Sequence, residues 1–174
     1  MLGENIVALC DVDERRAEMF KKVPQAKQFK DFRKMLEEMG DKIDAVLVGT
    51  PDHTHATAAM AAMKMGKHVY CEKPLAHSVA EVRALRKMAA DRKLTTQVGN
   101  QGHSSDSIRL FCEWIWDGAI GKVTEVHAGC DAFADTYCQL RNLEKVLTEQ
   151  PPVPKELDWE LWQGPVAAWS RRRR

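Results

Sequence analysis

The sequence lacks long apolar runs: no stretch approaches the roughly 18 apolar residues of a membrane-spanning helix, so no membrane role is expected. It lacks C-x-x-C spacing as well. Its five cysteines, Cys10, Cys71, Cys112, Cys130 and Cys138, are odd in number, which argues against a disulfide framework and for reduced thiols packed as small apolar groups. It has almost no net charge, since 26 Lys and Arg stand against 25 Asp and Glu, and nothing global directs it to nucleic acid. Arg171–Arg174 is the local exception, and a run this short reads as a solvated tail. Met1-Leu2-Gly3-Glu4 has no signal-peptide pattern, so the expected compartment is cytoplasmic, unless an upstream export segment precedes it. Finally, no glycine-rich strand-turn-helix comes before the first strand, Asn5 to Cys10.

What is present is the composition of an ordinary soluble protein, 44% hydrophobic and 29% charged over 174 residues. That length buries a full core and accommodates one domain, or one and part of another. Ile6-Val7-Ala8-Leu9 reads as a buried strand, followed by a helix carrying Ala17 and Phe20 inward. Asp31 caps a second helix with Phe32, Met35, Leu36 and Met39 on one stripe and Gly40 closing it. Ala45-Val46-Leu47-Val48 is a continuous apolar run of strand length, as expected where both faces of a parallel sheet are covered. A third helix, from about His55 to Gly66, presents Ala56, Ala59, Met60 and Met63. His68-Val69-Tyr70-Cys71 is the next strand, and Ser78 with Glu81 forms the capping box of a helix burying Val82, Leu85 and Ala89. Leu94 to Val98 is a further strand, and Ile108, Phe111, Cys112 and Ile115 mark a helix stopped by Gly118. Four strand-helix alternations predict a right-handed, parallel, doubly wound α/β sheet.

After Gly121 the texture changes. Lys122 to Ala128 reads as a strand with no amphipathic helix behind it, and residues 131–174 hold four of the seven prolines and three of the five tryptophans. The expected division is residues 1–121 as a partial dinucleotide-binding domain and residues 122–174 as the beginning of an α+β second domain.

Two polar clusters follow apolar strands: Gly49-Thr50-Pro51-Asp52-His53-Thr54-His55 and Glu72-Lys73-Pro74. Open α/β sheets hold ligands at such strand ends. Together with Leu9-Cys10-Asp11, the entry Gly121-Lys122-Val123, Gly99-Asn100-Gln101-Gly102-His103 and the Leu157–Pro165 segment, they resemble the Gfo/Idh/MocA oxidoreductases over roughly residues 5 to 165. The resemblance implies an incomplete Rossmann sheet lacking its first strand, because the family's opening G-x-G-x-x-G turn is not found here. The D-x-x-x-H type motif of the family's second domain is not found either. It further implies an NAD(P)-dependent oxidoreductase acting on a secondary alcohol or ketone of a sugar, cyclitol or related polyol, a homo-oligomer when whole. The alternative is a catalytically incompetent fragment, or a binding module keeping part of the cofactor cleft.

Asp11 sits where a carboxylate accepts from ribose hydroxyls and repels a 2′-phosphate, which favours NAD; Arg15 and Arg16 leave NADP open, and Asp11 and Asp13 both also suit a helix cap. Gly49 permits close backbone approach and Pro51 fixes the turn, so Thr50 and Pro51 are expected to border the cofactor, with His55 nearby. Resemblance implies that Lys73 stands beside the nicotinamide and the substrate hydroxyl as the catalytic residue, oriented by Glu72. The plain reading of spacing alone is an exposed Glu72–Lys73 pair. Asn100 is an expected cofactor neighbour and Gln101 and His103 expected substrate neighbours, although a capping loop accounts for them too. His53 and His55 with a later cysteine do not complete a zinc spacing, so no metal is expected. Trp114, Trp116, Trp159 and Trp162 are expected to pack rather than to stack on sugar.

Overall fold

The computed structural model describes residues 3–16, 18–129, 148 and 151–165. They fall into two compact units, one holding residues up to Asn100 and those from Val153 on, the other Gln101–Pro152.

In the first unit, β1 (Ala8–Cys10) leads through a 3₁₀ turn, Glu14–Arg16, into the short helix α1 (Glu18–Lys22). Then come β2 (Lys27–Phe29), α2 (Phe32–Met39), β3 (Ala45–Val48), α3 (His55–Lys64), β4 (His68–Cys71), α4 (Val79–Arg92) and β5 (Thr96–Val98). All pairings are parallel: β1 with β2 from Ala8↔Lys27 to Cys10↔Phe29, β3 with β4 from Ala45↔His68 to Val48↔Cys71, and β4 with β5 from Val69↔Thr96 to Cys71↔Val98. The strands form two sheets, β1-β2 and β3-β4-β5, with no ladder joining β1 to β3 among the described residues. In the doubly wound order 3-2-1-4-5-6 the position between them is that of the first strand. The fold is thus the incomplete doubly wound parallel sheet that alternation and resemblance predict.

Local chemistry explains the helices. Asp31 accepts the Arg33 backbone N–H at 2.9 Å and starts α2, whose stripe buries Met35 and Leu36 and half-buries Phe32 and Met39. Ser78 accepts from the Glu81 N–H while Glu81 accepts from the Ser78 N–H, the full capping box of α4. The alanines of α3 let it lie close on β3 and β4: Ala59, Ala62 and Met63 are at most 2% exposed, against Val48, Val69 and Cys71. Fully burying one side chain such as Met63 is worth about 1.5–3 kcal/mol.

Several expectations change. Gly40 takes a right-handed conformation (φ −51°) and continues into a 3₁₀ turn, so α2 ends without a left-handed glycine. Gly66 and Gly118, at φ +77° and +78°, do stop their helices in the left-handed region that glycine tolerates. The run Ala45–Val48 is covered on one face only: Val46 and Val48 turn inward, whereas Ala45 and Leu47 are exposed, Leu47 at 71%. α1 buries nothing and Phe20 is half-buried; Ala17 lies outside the described residues.

Residues 153–165, read from sequence as part of a second domain, pack within the first unit. The Asp158 N–H donates to the Val12 carbonyl at 3.0 Å, Glu14 donates to Glu156 at 3.1 Å, and Asp13 bridges to Leu157. Asp158 then caps a five-residue helix, α6 (Trp159–Gln163), by accepting from Leu161 at 3.0 Å.

The second unit holds a 3₁₀ turn, Gln101–Ser104, and α5 (Asp106–Trp116), capped by Ser105. Residues 122–128 form no ladder among the described residues, because β-branched propensity makes a strand only where another strand pairs with it. Trp114 and Trp116 are exposed at 57% and 81%, while Trp159 and Trp162 stack on each other in the first unit at 5.0 Å between centroids.

Candidate functional site

The carboxyl ends of β1, β3, β4 and β5 carry, in turn, Asp11, Gly49-Thr50, Glu72-Lys73 and Gly99-Asn100. One segment ties two of these ends into a single rim. Asp158 is bonded to Val12 beyond β1, and four residues on the Trp162 carbonyl is 2.8 Å from His53 Nε2 beyond β3, with the two rings 5.1 Å apart.

At the β3 end the chain turns sharply. Pro51 caps a 3₁₀ turn, Asp52–Thr54, whose Thr54 backbone N–H donates to the Pro51 carbonyl at 2.9 Å. The Thr54 hydroxyl lies 2.8 Å from that of Thr50 and 2.9 Å from the Pro51 carbonyl, so the buried Thr54 holds the exposed Thr50 in place. Gly49 is exposed, and a Cβ there would come no nearer than 3.6 Å to any atom. The close protein contact at these strand ends is at Gly99, where a Cβ would stand 2.7–2.9 Å from the Glu72 carboxylate. A glycine closing one strand beside an acidic residue closing its neighbour was the available signal for this packing.

At the β4 end the Glu72 N–H donates to the Val48 carbonyl at 2.9 Å, the last bond between β3 and β4. Glu72 Oε2 accepts from the Lys73 backbone N–H at 3.3 Å, and its carboxylate rests on Gly99 at the end of β5. Glu72 is thereby pinned across β4 and β5. Lys73 is exposed, and among the described residues its ammonium forms no ion pair. The Lys73-Pro74 peptide is cis. Beneath it, burial first and the Glu72 charge second push the Cys71 thiol up to about 11, so Cys71 is a packed thiol rather than a nucleophile.

At the β1 end both acids are turn residues. Asp11 Oδ1 accepts from the Asp13 N–H at 2.9 Å, and Asp13 accepts from the Arg15 N–H at 3.0 Å. The Arg15 guanidinium grips Asp13 at 2.8 and 2.6 Å and holds its carboxyl down at about 2. Burial, then the charges of Asp31 and Asp11, raises the Cys10 thiol to about 12.

Gly49, Thr50, Pro51, Glu72, Lys73 and Asn100 are therefore assembled on neighbouring strand ends of one unit, with Asp11 on the β1 end. Gln101 and His103 belong to the other unit, in its exposed 3₁₀ turn. His55 is 1% exposed and both its ring nitrogens face protein carbonyls, so direct contact with a cofactor gives way to a role inside the protein. Among the described residues no three His, Cys, Asp or Glu side chains gather as a metal site, and no helix is long and apolar enough to cross a membrane.

Residues 2–100 match the GFO_IDH_MocA family, described as an oxidoreductase family with an NAD-binding Rossmann fold. The chain belongs to that family. It is 32% identical over 109 residues to a levoglucosan dehydrogenase of Pseudarthrobacter phenanthrenivorans, covering 63% of this chain and 26% of that protein. It is 30% identical over 118 residues to a myo-inositol 2-dehydrogenase of Thermotoga maritima, covering 67% of this chain and 35% of that one. The crystal structure of scyllo-inositol dehydrogenase from Lactobacillus casei with bound NAD(H) and scyllo-inositol aligns with a TM-score of 0.59 at 27% identity, over 69% of this chain and 35% of that one. The chain spans about a third or less of the length of these relatives.

Proposed function

We propose that the protein carrying this chain is an NAD-dependent oxidoreductase that moves a hydride between nicotinamide and a secondary alcohol or ketone of a sugar, cyclitol or related polyol. The observation that carries this reading is Lys73: an exposed ammonium at a strand end, anchored through a Glu72 side chain that is itself pinned on Gly99. The residues fit a dinucleotide. Thr50 and Pro51 are exposed residues beyond β3, Asn100 offers an exposed amide beyond β5, and Asp11 a carboxylate beyond β1. Asp11 repels a 2′-phosphate and Arg15 is already bound to Asp13, which favours NAD, while the exposed Arg16 keeps NADP as the alternative.

The nicotinamide, when bound, supplies the acceptor or donor of the hydride. Lys73 acts on the substrate oxygen: in reduction its ammonium donates a proton to that oxygen as the carbonyl carbon gains the hydride, which leaves a neutral amine, and in oxidation that amine accepts the hydroxyl proton as the C–H bond yields its hydride. Glu72 orients Lys73. Gln101 and His103 are the proposed substrate neighbours, and residues 122–174 begin the proposed second domain apart from the 153–165 return. The family relatives named for inositol and levoglucosan support a sugar or cyclitol substrate. A cytoplasmic homo-oligomer belongs to the same proposal.

The test is Lys73→Met in the protein carrying this chain, with NADH affinity and single-turnover hydride transfer from a polyol panel measured side by side. The rate should fall roughly 10²–10⁴-fold, with NADH affinity within about twofold. An unchanged rate removes Lys73 from the chemistry, and NADH binding without turnover of any polyol favours the binding-module reading.

A further inference from the structure

His55 opens α3 directly after the Asp52–Thr54 turn and is 1% exposed. Its Nδ1 is 2.6 Å from the Pro74 carbonyl oxygen and its Nε2 is 2.7 Å from the Thr50 carbonyl oxygen. Carbonyl oxygens only accept. A neutral imidazole carries one N–H, so it satisfies one of these contacts and leaves the other as two opposed lone pairs, whereas a ring with a proton on each nitrogen satisfies both. His53, two residues earlier, makes the contrast: it is half-buried and engages a single carbonyl, that of Trp162.

The two carbonyls that His55 joins belong to the two turns of the candidate site. Thr50 follows β3, and Pro74 follows Lys73 beyond β4. Backbone pairing between β3 and β4 ends at the Glu72 N–H to Val48 bond, before Lys73 is reached. Past that point the His55 ring carries the connection from one turn to the other.

We propose that His55 is a positioning residue: a doubly protonated ring that pins the Thr50 turn to the Lys73-Pro74 turn and so sets where the Lys73 ammonium emerges. Because the ring is buried, it acts through Lys73 and touches neither cofactor nor substrate. The inference rests on the reading of Lys73 given above, but its first test does not use activity.

That test is the nitrogen-15 and proton NMR spectrum of the His55 ring in the wild-type chain at neutral pH, assigned by loss in His55→Gln. Two slowly exchanging ring N–H protons, one on each nitrogen, are expected; one bare ring nitrogen overturns the pin. The second test compares His55→Gln, which has a single side-chain nitrogen to donate, with wild type in single-turnover hydride transfer. Displacing Lys73 by about an ångström should slow transfer roughly 10²-fold, with NADH affinity and substrate KM nearly unchanged. An unchanged rate, in a protein whose rate does fall in Lys73→Met, overturns the positioning role. If Lys73→Met itself leaves the rate intact, the reading of Lys73 fails and takes the positioning role with it, while the ring spectrum still decides whether the pin exists.

Discussion

The two faces of the β3-β4-β5 sheet are built differently. On one, Val48, Val69 and Cys71 meet Ala59, Ala62 and Met63 of α3, each residue at most 5% exposed. On the other, Ala45 and Leu47 stand bare, and Gln97 is exposed two strands away in β5. The same four-residue apolar run serves both faces. It teaches that an unbroken hydrophobic strand identifies the strand but not how many of its faces are packed.

The sharpest way to break this contrast is a pair of truncations. Met63→Ala empties a site 2% exposed and should cost about 2–5 kcal/mol by urea unfolding. Leu47→Ala, at 71% exposed, should stay within about 0.5 kcal/mol. A Leu47 cost matching that of Met63 would mean that the second face is packed as tightly as the first.

The rim yields a second pair. Gly99→Ala drives a methyl into the Glu72 carboxylate, the free end of a flexible side chain that can swing aside, and should cost only about 1 kcal/mol, the low end of overpacking, while Gly49→Ala, with 3.6 Å to its nearest neighbour, should be close to neutral. Equal midpoints for the two variants would show that Glu72 is not seated on Gly99. Next comes the capping box: Ser78→Ala should lower stability by about 1 kcal/mol, and Ser78→Asp should recover most of it.

The smallest effect is set by pH. Cys71 holds its proton in the folded protein up to about 11, against an ordinary 9.0. Between those values the fold binds more protons than the unfolded chain, so the stability from this thiol is complete below about pH 9 and is lost as pH rises to about 11. The urea midpoint should fall over that window, and fall less in Cys71→Ala. Equal falls in both would assign the alkaline loss to other groups.

How much of this was legible in the sequence follows from which interactions are local. Asp31 and Ser78 announced their helices because a cap and the backbone N–H that donates to it lie within three residues. The stripe Phe32, Met35, Leu36 and Met39 did the same through its 3.6 period. The strand ends were legible because polar groups interrupt apolar runs at Gly49 and Glu72. What stayed hidden depends on distant pairs. His55 reads as one more polar residue of its turn until Pro74, nineteen residues on, is seen across the ring. The return of residues 156–162 to Val12 and His53 has no local signature beyond a proline and tryptophan cluster. The strand expected over residues 122–128 rested on propensity alone, without a pairing partner to realise it.

The central claim is that the dinucleotide lies along the carboxyl rim with its nicotinamide at Lys73. An amide chemical-shift map of the protein during NADH titration addresses it directly. The largest saturable shifts should fall on Thr50, Glu72, Lys73 and Asn100. Shifts confined to the opposite end of the strands, around Asp44, Lys67 and Thr95, would contradict it.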